Sequence, residues 1–179
     1  MVLEILEQDH ESLLELLHAL KSSLQQQDAS RAFELLDLFW ARLAVHIRAE
    51  NLCLFPAILS APTERLRAGH GVPSVEEVRA TIEGLRSDHY FFMDELARAV
   101  KTFREILANR QSPLHVTEQL ETIRRRVDAV SLRLESHNAL EEDRVYKWPG
   151  LILGTAQLED LTVAIRRELH NLPGRFAPV

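Results

Sequence analysis

The 179-residue chain has one cysteine, Cys53, so it cannot form an internal disulfide. That usage suits a reducing compartment, and a cytoplasmic location is expected. No apolar run reaches the ~18 residues that a membrane span needs. The start, MVLEILEQDHESLLELL, alternates acids with leucines. It lacks the basic start and unbroken apolar run of a signal peptide. Cations are in the minority, with 21 Lys and Arg against 27 Asp and Glu, for a net charge of −6. That balance removes the electrostatic reason to expect nucleic acid as a partner. The one basic cluster, Arg124–Arg125–Arg126, is interleaved with Glu121 and Asp128 and reads as a solvated helix face.

Glycine is also scarce, with six residues, at 69, 71, 84, 150, 154 and 174. Long stretches free of Gly and Pro read as helices. The expected elements are helix 1 over 2–26, helix 2 over 30–55, helix 3 over 75–109 and helix 4 over 113–148. Asp28 and Ser30 are capping residues for helix 2, which kinks or ends near Pro56. Residues 60–73 form the longest loop. Ser74 with Glu77 is a capping box, and Ser112–Pro113 is a cap and first helical position. WPGLILG is a break, a short helix 5 follows over 155–171, and Pro173–Gly174 open a tail.

Each long helix carries apolar residues at steps of three and four, the spacing of one buried stripe. Helix 1 runs Leu3, Leu6, His10, Leu13, Leu17, Leu20, Leu24. Helix 2 runs Ala32, Leu36, Phe39, Leu43, His46, Glu50, Cys53. Helix 3 passes Ile82, Leu85, His89, Phe92 and Leu96, and helix 4 passes Val127, Val130, Leu134, His137 and Glu141. The expected fold is all-α: an up-down-up-down four-helix bundle over 1–148, with a short C-terminal fifth helix and tail over 149–179.

Six ionisable residues interrupt those stripes: His10, His46, Glu50, His89, His137 and Glu141. Burying an unpaired charge is very costly, so six of them need a partner, and a pair of metal ions is the simplest. A buried polar network without metal would leave charges or hydrogen bonds unsatisfied. His10 and His46 lie equally far from the turn at Asp28, and His89 and His137 equally far from Pro113. Within each hairpin the two histidines therefore share one level. Glu50 and Glu141 each follow a histidine by four residues, on the same helix face. Imidazole with a bridging carboxylate suits iron, manganese or zinc.

An internal repeat supports the pairing. Asp9–His10 matches Asp88–His89, and HIRAENLCLF (46–55) aligns with HNALEEDRVY (137–146), keeping His, Glu and the final aromatic in register.

This pattern resembles the hemerythrin-like family, the HHE cation-binding domain, over roughly residues 1–148. HIRAENLCLFPAI is similar to the family's second-helix signature, and His10, His89, His137 and Glu141 fall where its other ligands stand. The resemblance implies two non-haem iron ions, carboxylate-bridged and joined by an oxo or hydroxo bridge. It implies binding of, or reaction with, O2, NO or peroxide, in sensing or stress defence. Oxygen-carrying hemerythrins have HxxxH in their third helix, whereas here Met93 stands four residues after His89. The four-histidine, two-glutamate set is closer to bacterial proteins that repair iron centres. Iron storage or delivery, and a structural metal in an interaction module, are the other readings, and a homodimer is possible.

The remaining candidates are expected to be unremarkable. His18, His70, His115 and His170 read as surface or boundary residues, Cys53 as core, and Tyr90 as packing. Asp9 and Asp88 are expected to face solvent rather than orient imidazoles. Met93 is expected to pack beside the site and narrow its access.

Overall fold

The computed structural model describes residues 2–62, 66, 71–108 and 112–176; the side chain of Leu3 and the whole of His70 lie outside that set. Among the described residues the chain is helical throughout, with no strand. The long helices are α1 (Val2–Gln25), α2 (Ala29–Ala49), α4 (Val75–Ala108) and α5 (Pro113–Asp143). A fifth, α7 (Thr155–Leu169), follows the short helices α3 (Phe55–Leu59) and α6 (Trp148–Ile152).

The helices begin where side chains supply partners for free backbone N–H groups. Asp28 accepts from the Arg31 N–H, and Ser112 accepts from the His115 N–H. Ser74 and Glu77 form the reciprocal box: the Glu77 N–H donates to Ser74 Oγ, and the Ser74 N–H to the Glu77 carboxylate. Such caps typically contribute ~1 kcal/mol each.

Two boundaries differ from the sequence expectation. Helix 2 is not one α-helix to residue 55. After Ala49 it widens into a π turn, Glu50–Leu54, in which the Phe55 N–H reaches back five residues to the Glu50 carbonyl. Pro56 follows directly and has no N–H to donate to the carbonyl four residues earlier, so the ordinary ladder cannot run on. The wide turn shifts the phase of the helix face by about one residue. Leu54 and Phe55 become fully buried, while Cys53, expected on the stripe, is only half-buried. The second difference is at WPGLILG. Helix α5 stops at Asp143, a 3-10 turn (Val145–Lys147) intervenes, and Trp148–Ile152 is a short helix rather than a break. Pro149 lies in the first turn of that helix, where its missing N–H has no consequence.

Helix α1 packs on α2 and α5, and α4 packs on α2 and α5. On two contacts the paired residues run in opposite directions: Asp88 meets His137 and Glu95 meets Arg126 between α4 and α5, and His10 meets Glu142 and Lys21 meets Asp128 between α1 and α5. The buried apolar side chains fall into two clusters. One is built on Leu13, Leu17, Leu36, Phe39, Phe92, Phe103, Val127 and Val130. The other holds Leu6, Leu54, Phe55, Ile82, Leu85, Tyr146 and Trp148, with Leu161 and Ile165 of α7. On each long helix the polar stripe residues sit between these two clusters. The site is thus a polar layer with a dry core on either side.

Candidate metal centre

All six sequence candidates meet in that layer, and all are buried, with Glu50 and Glu141 at 0 % exposure. They form two abutting groups, His10–His46–Glu50–Glu141 and Glu50–His89–His137–Glu141, and in each the ligand atoms lie within 4.8 Å of one another. Donors roughly 2.1 Å from one ion stand about 3–4 Å apart, and neighbouring donors here lie 3.0–3.5 Å apart. Both glutamates belong to both groups. Glu50 Oε1 faces His46 Nε2 at 3.5 Å, and its Oε2 faces His89 Nε2 at 3.2 Å. Glu141 Oε1 faces His137 Nε2 at 3.2 Å, and its Oε2 faces His10 Nε2 at 3.5 Å.

Several of these atoms have no hydrogen bond. Glu50 Oε2, His89 Nε2 and Glu141 Oε1 are buried and unpartnered, close to one another yet not aligned. Such groups cost roughly 1–3 kcal/mol each if nothing else meets them. They point at a shared centre, which is what a cation would occupy. The donor set of imidazole and carboxylate fits a first-row transition metal.

The imidazoles are oriented from behind. His46 Nδ1–H donates to Asp9 Oδ2 at 2.9 Å, and Arg42 holds the other oxygen of Asp9 at 2.6 Å. His137 Nδ1–H donates to Asp88 Oδ2 at 3.1 Å, and Arg133 holds that carboxylate in turn. His10 Nδ1–H donates to Glu142 Oε1 at 2.7 Å. A proton fixed on Nδ1 leaves the Nε2 lone pair facing the layer, as a metal requires. The expectation that Asp9 and Asp88 face solvent is therefore corrected. Each sits one residue before a stripe histidine and leans across the helix contact to the neighbouring helix. The tertiary pairing recruits it, which a single-helix wheel does not reveal.

The electrostatics without metal follow from this crowding. Burial pushes His46 toward its neutral form, but Glu50 and Asp9 outweigh burial and hold it at about 10. For His137 burial is likewise outweighed by Glu141, Glu50 and Asp88, which hold it at about 9. Burial would raise Glu50, yet His46 and His89 keep it well below the usual carboxylate range. Protons on His46 and His137 thus offset the negative charge of the carboxylates around them.

Three contributing residues escaped the sequence reading. Tyr146 is buried with its hydroxyl inside the first group: it donates to Glu50 Oε1 at 2.6 Å and lies 3.1 Å from Glu141 Oε2 and 3.0 Å from His10 Nε2. Asn51 Nδ2 meets His89 Nδ1 at 3.1 Å, and Glu142 braces His10 as described. The internal repeat carried the signal. Asn51 and Glu142 are matched positions after the two glutamates, and Phe55 and Tyr146 are the matched final aromatics. Phe55 stacks on His89 with ring centroids 5.9 Å apart, as Tyr146 lies against His10 at 5.5 Å.

Among the remaining candidates, His18, His115 and His170 are exposed, as expected. Tyr90 is 79 % exposed, so it does not pack into the core; one residue after His89 it points about 100° round the helix, toward solvent. Met93 lies with Ile47, Asn51, Arg86 and Tyr90 around a cleft of about 430 Å³ that reaches His89.

A family model for the hemerythrin HHE cation binding domain matches residues 1–149. The chain belongs to that family. No curated protein and no solved structure matches it. For this hemerythrin HHE chain, the two His/Glu groups are compatible with cation binding, and no described helix is long and apolar enough to cross a membrane.

Proposed function

We propose that this chain is a non-haem di-iron protein of the cytoplasm that binds or reacts with O2, NO or peroxide. Its ligands are His10, His46, Glu50 and Glu141 for one iron, and His89, His137 and the same two glutamates for the other. The observation that carries the reading is the sharing of Glu50 and Glu141: each presents one oxygen to each histidine pair. Two carboxylates shared between two sites would hold two cations and offset their mutual repulsion. The packing of α1 and α4 on both α2 and α5, with α5 running opposite to α1 and α4, supports an up-down-up-down four-helix bundle as the scaffold, with α7 laid against it.

Bound iron would supply open coordination positions and a redox couple. The chain's own part is to orient four imidazoles through Asp9, Asp88, Glu142 and Asn51, and to exclude water with the cores on both sides. Four protein donors per ion leave room for a small exogenous ligand, and the buried setting favours small molecules over bulky ones. The test is iron content and near-ultraviolet absorption of protein made in iron-supplemented growth, followed by azide, NO and peroxide titrations. About two irons per chain, with the absorption of a bridged ferric pair and a response to those ligands, is the expected result. One zinc per chain, or no iron, would overturn the proposal.

A further inference from the structure

Helix α7 has an inner and an outer face. The inner face packs on α1, α2 and the π turn and buries Leu161 and Ile165. The outer face carries Glu159, Asp160, Val163, Arg166 and Arg167, all exposed. The four charged residues stand three and four positions to either side of Val163, so the five form one stripe. Both acids lie on the N-terminal side of Val163 and both bases on the C-terminal side. Reversing the direction of the helix therefore exchanges acid for base and returns Val163 to its own place.

Four of these charges are in no ion pair. Of the charged residues of α7, only Glu168 is in one among the described residues, with Arg48. The acids and bases stand six to eight residues apart, beyond the three or four that meet on one helix. Helix α5 shows the alternative, a face that satisfies itself: Arg124 is tied to Glu121 and Asp128 of its own helix. The helix dipole does not account for the two acids. Its pull fades within the first turn, and the first turn of α7 holds no acid.

Exposed apolar surface lies beside the charges. Val163 is 68 % exposed and Leu151 51 %. Both line a groove of about 650 Å³, with Tyr146, Pro149 and Leu158 among its other walls. An apolar centre with a charged rim is the composition of a contact surface.

We propose that the outer face of α7 is the contact between two copies of this chain. The two α7 helices run antiparallel about a twofold axis at the level of Val163. Glu159 and Asp160 of each copy face Arg166 and Arg167 of the partner subunit. A twofold contact must be self-complementary, with residue i meeting j and j meeting i, and this stripe meets that condition. The same axis places both grooves on one side of the helix pair, where their apolar walls adjoin. The inference is independent of which metal the centre holds.

The test is sedimentation velocity of the full chain from micromolar to several hundred micromolar. The wild type should form a dimer that added salt weakens. Glu159→Arg with Asp160→Arg makes the stripe wholly basic, and Arg166→Glu with Arg167→Glu makes it wholly acidic. Each double variant should keep the helical circular dichroism of the wild type and weaken self-association by about a hundredfold, because contacts that attracted now repel. Mixed together, the two should form a heterodimer at least as tight as the wild-type dimer. Val163→Cys should cross-link to its own copy on mild oxidation, while the wild type, whose one thiol is the half-buried Cys53, should not. A wild type that stays monomeric throughout overturns the inference. So does a dimer that both charge reversals leave intact, which would put the contact elsewhere. Folded variants that fail to join on mixing overturn the antiparallel pairing.

Discussion

Loading the metal-free protein with metal should release protons, and the structure sets the number. Without metal, His46 titrates at about 10 and His137 at about 9. At pH 7.5 both are therefore largely imidazolium. Their Nδ1–H groups are committed to Asp88 and Asp9, so the second proton sits on Nε2, the atom a metal must take. Filling the site expels both, so at least about two protons per chain should appear in solution. Apparent affinity should then rise on the order of a hundredfold per pH unit between about pH 7 and 8.5, and flatten as pH passes 9 and then 10. Isothermal titration calorimetry in buffers of different ionisation enthalpy counts the protons. A hydroxide bridge would add to the count and not reduce it. Fewer than one proton per chain at pH 7.5 would refute the charge-substitution argument. Asp9→Asn removes one of the groups that raise His46 and should lower the release measured at pH 8.5.

Three further outcomes follow from the same geometry. Glu50→Ala should deplete both metals, because each Glu50 oxygen serves a different histidine pair, whereas His10→Ala should deplete one; elemental analysis after desalting separates the patterns, and two full equivalents in Glu50→Ala would dismiss the sharing. The metal-free protein should lose stability as pH rises: His46 and His137 are raised above their ordinary 6.5, so their contribution is complete below about 6.5 and is lost through about 9 and then 10, which urea melts across pH 6–10 would register. Phe39→Ala, in the core two helical turns before His46, should cost about 3–5 kcal/mol in denaturant melts while leaving metal stoichiometry unchanged in the folded protein.

The stripe of apolar residues at three- and four-residue steps was legible in the sequence because a helix face is a local, periodic property. So were the six candidates, since each is a charge where the period demands an apolar side chain. Capping at Asp28, Ser74 and Ser112 was legible for the same local reason. What surrounds the six was not. Asp9, Asp88, Asn51 and Glu142 lie beside the stripe on their own helices and are recruited only by the neighbouring helix. The π turn at Glu50–Leu54 also needed the fold: Pro56 announces a defect in the ladder, but packing decides whether the helix breaks or widens. It buries Leu54 and Phe55 in place of Cys53 and sets Phe55 on His89. Tyr146 shows the division most clearly. By itself the sequence determined that an aromatic ends each repeat and that one of them is a phenol; the tertiary structure decided that its hydroxyl is held within reach of four ligand atoms, because only the 3-10 turn after α5 and the packing of α1 across it bring the hydroxyl there.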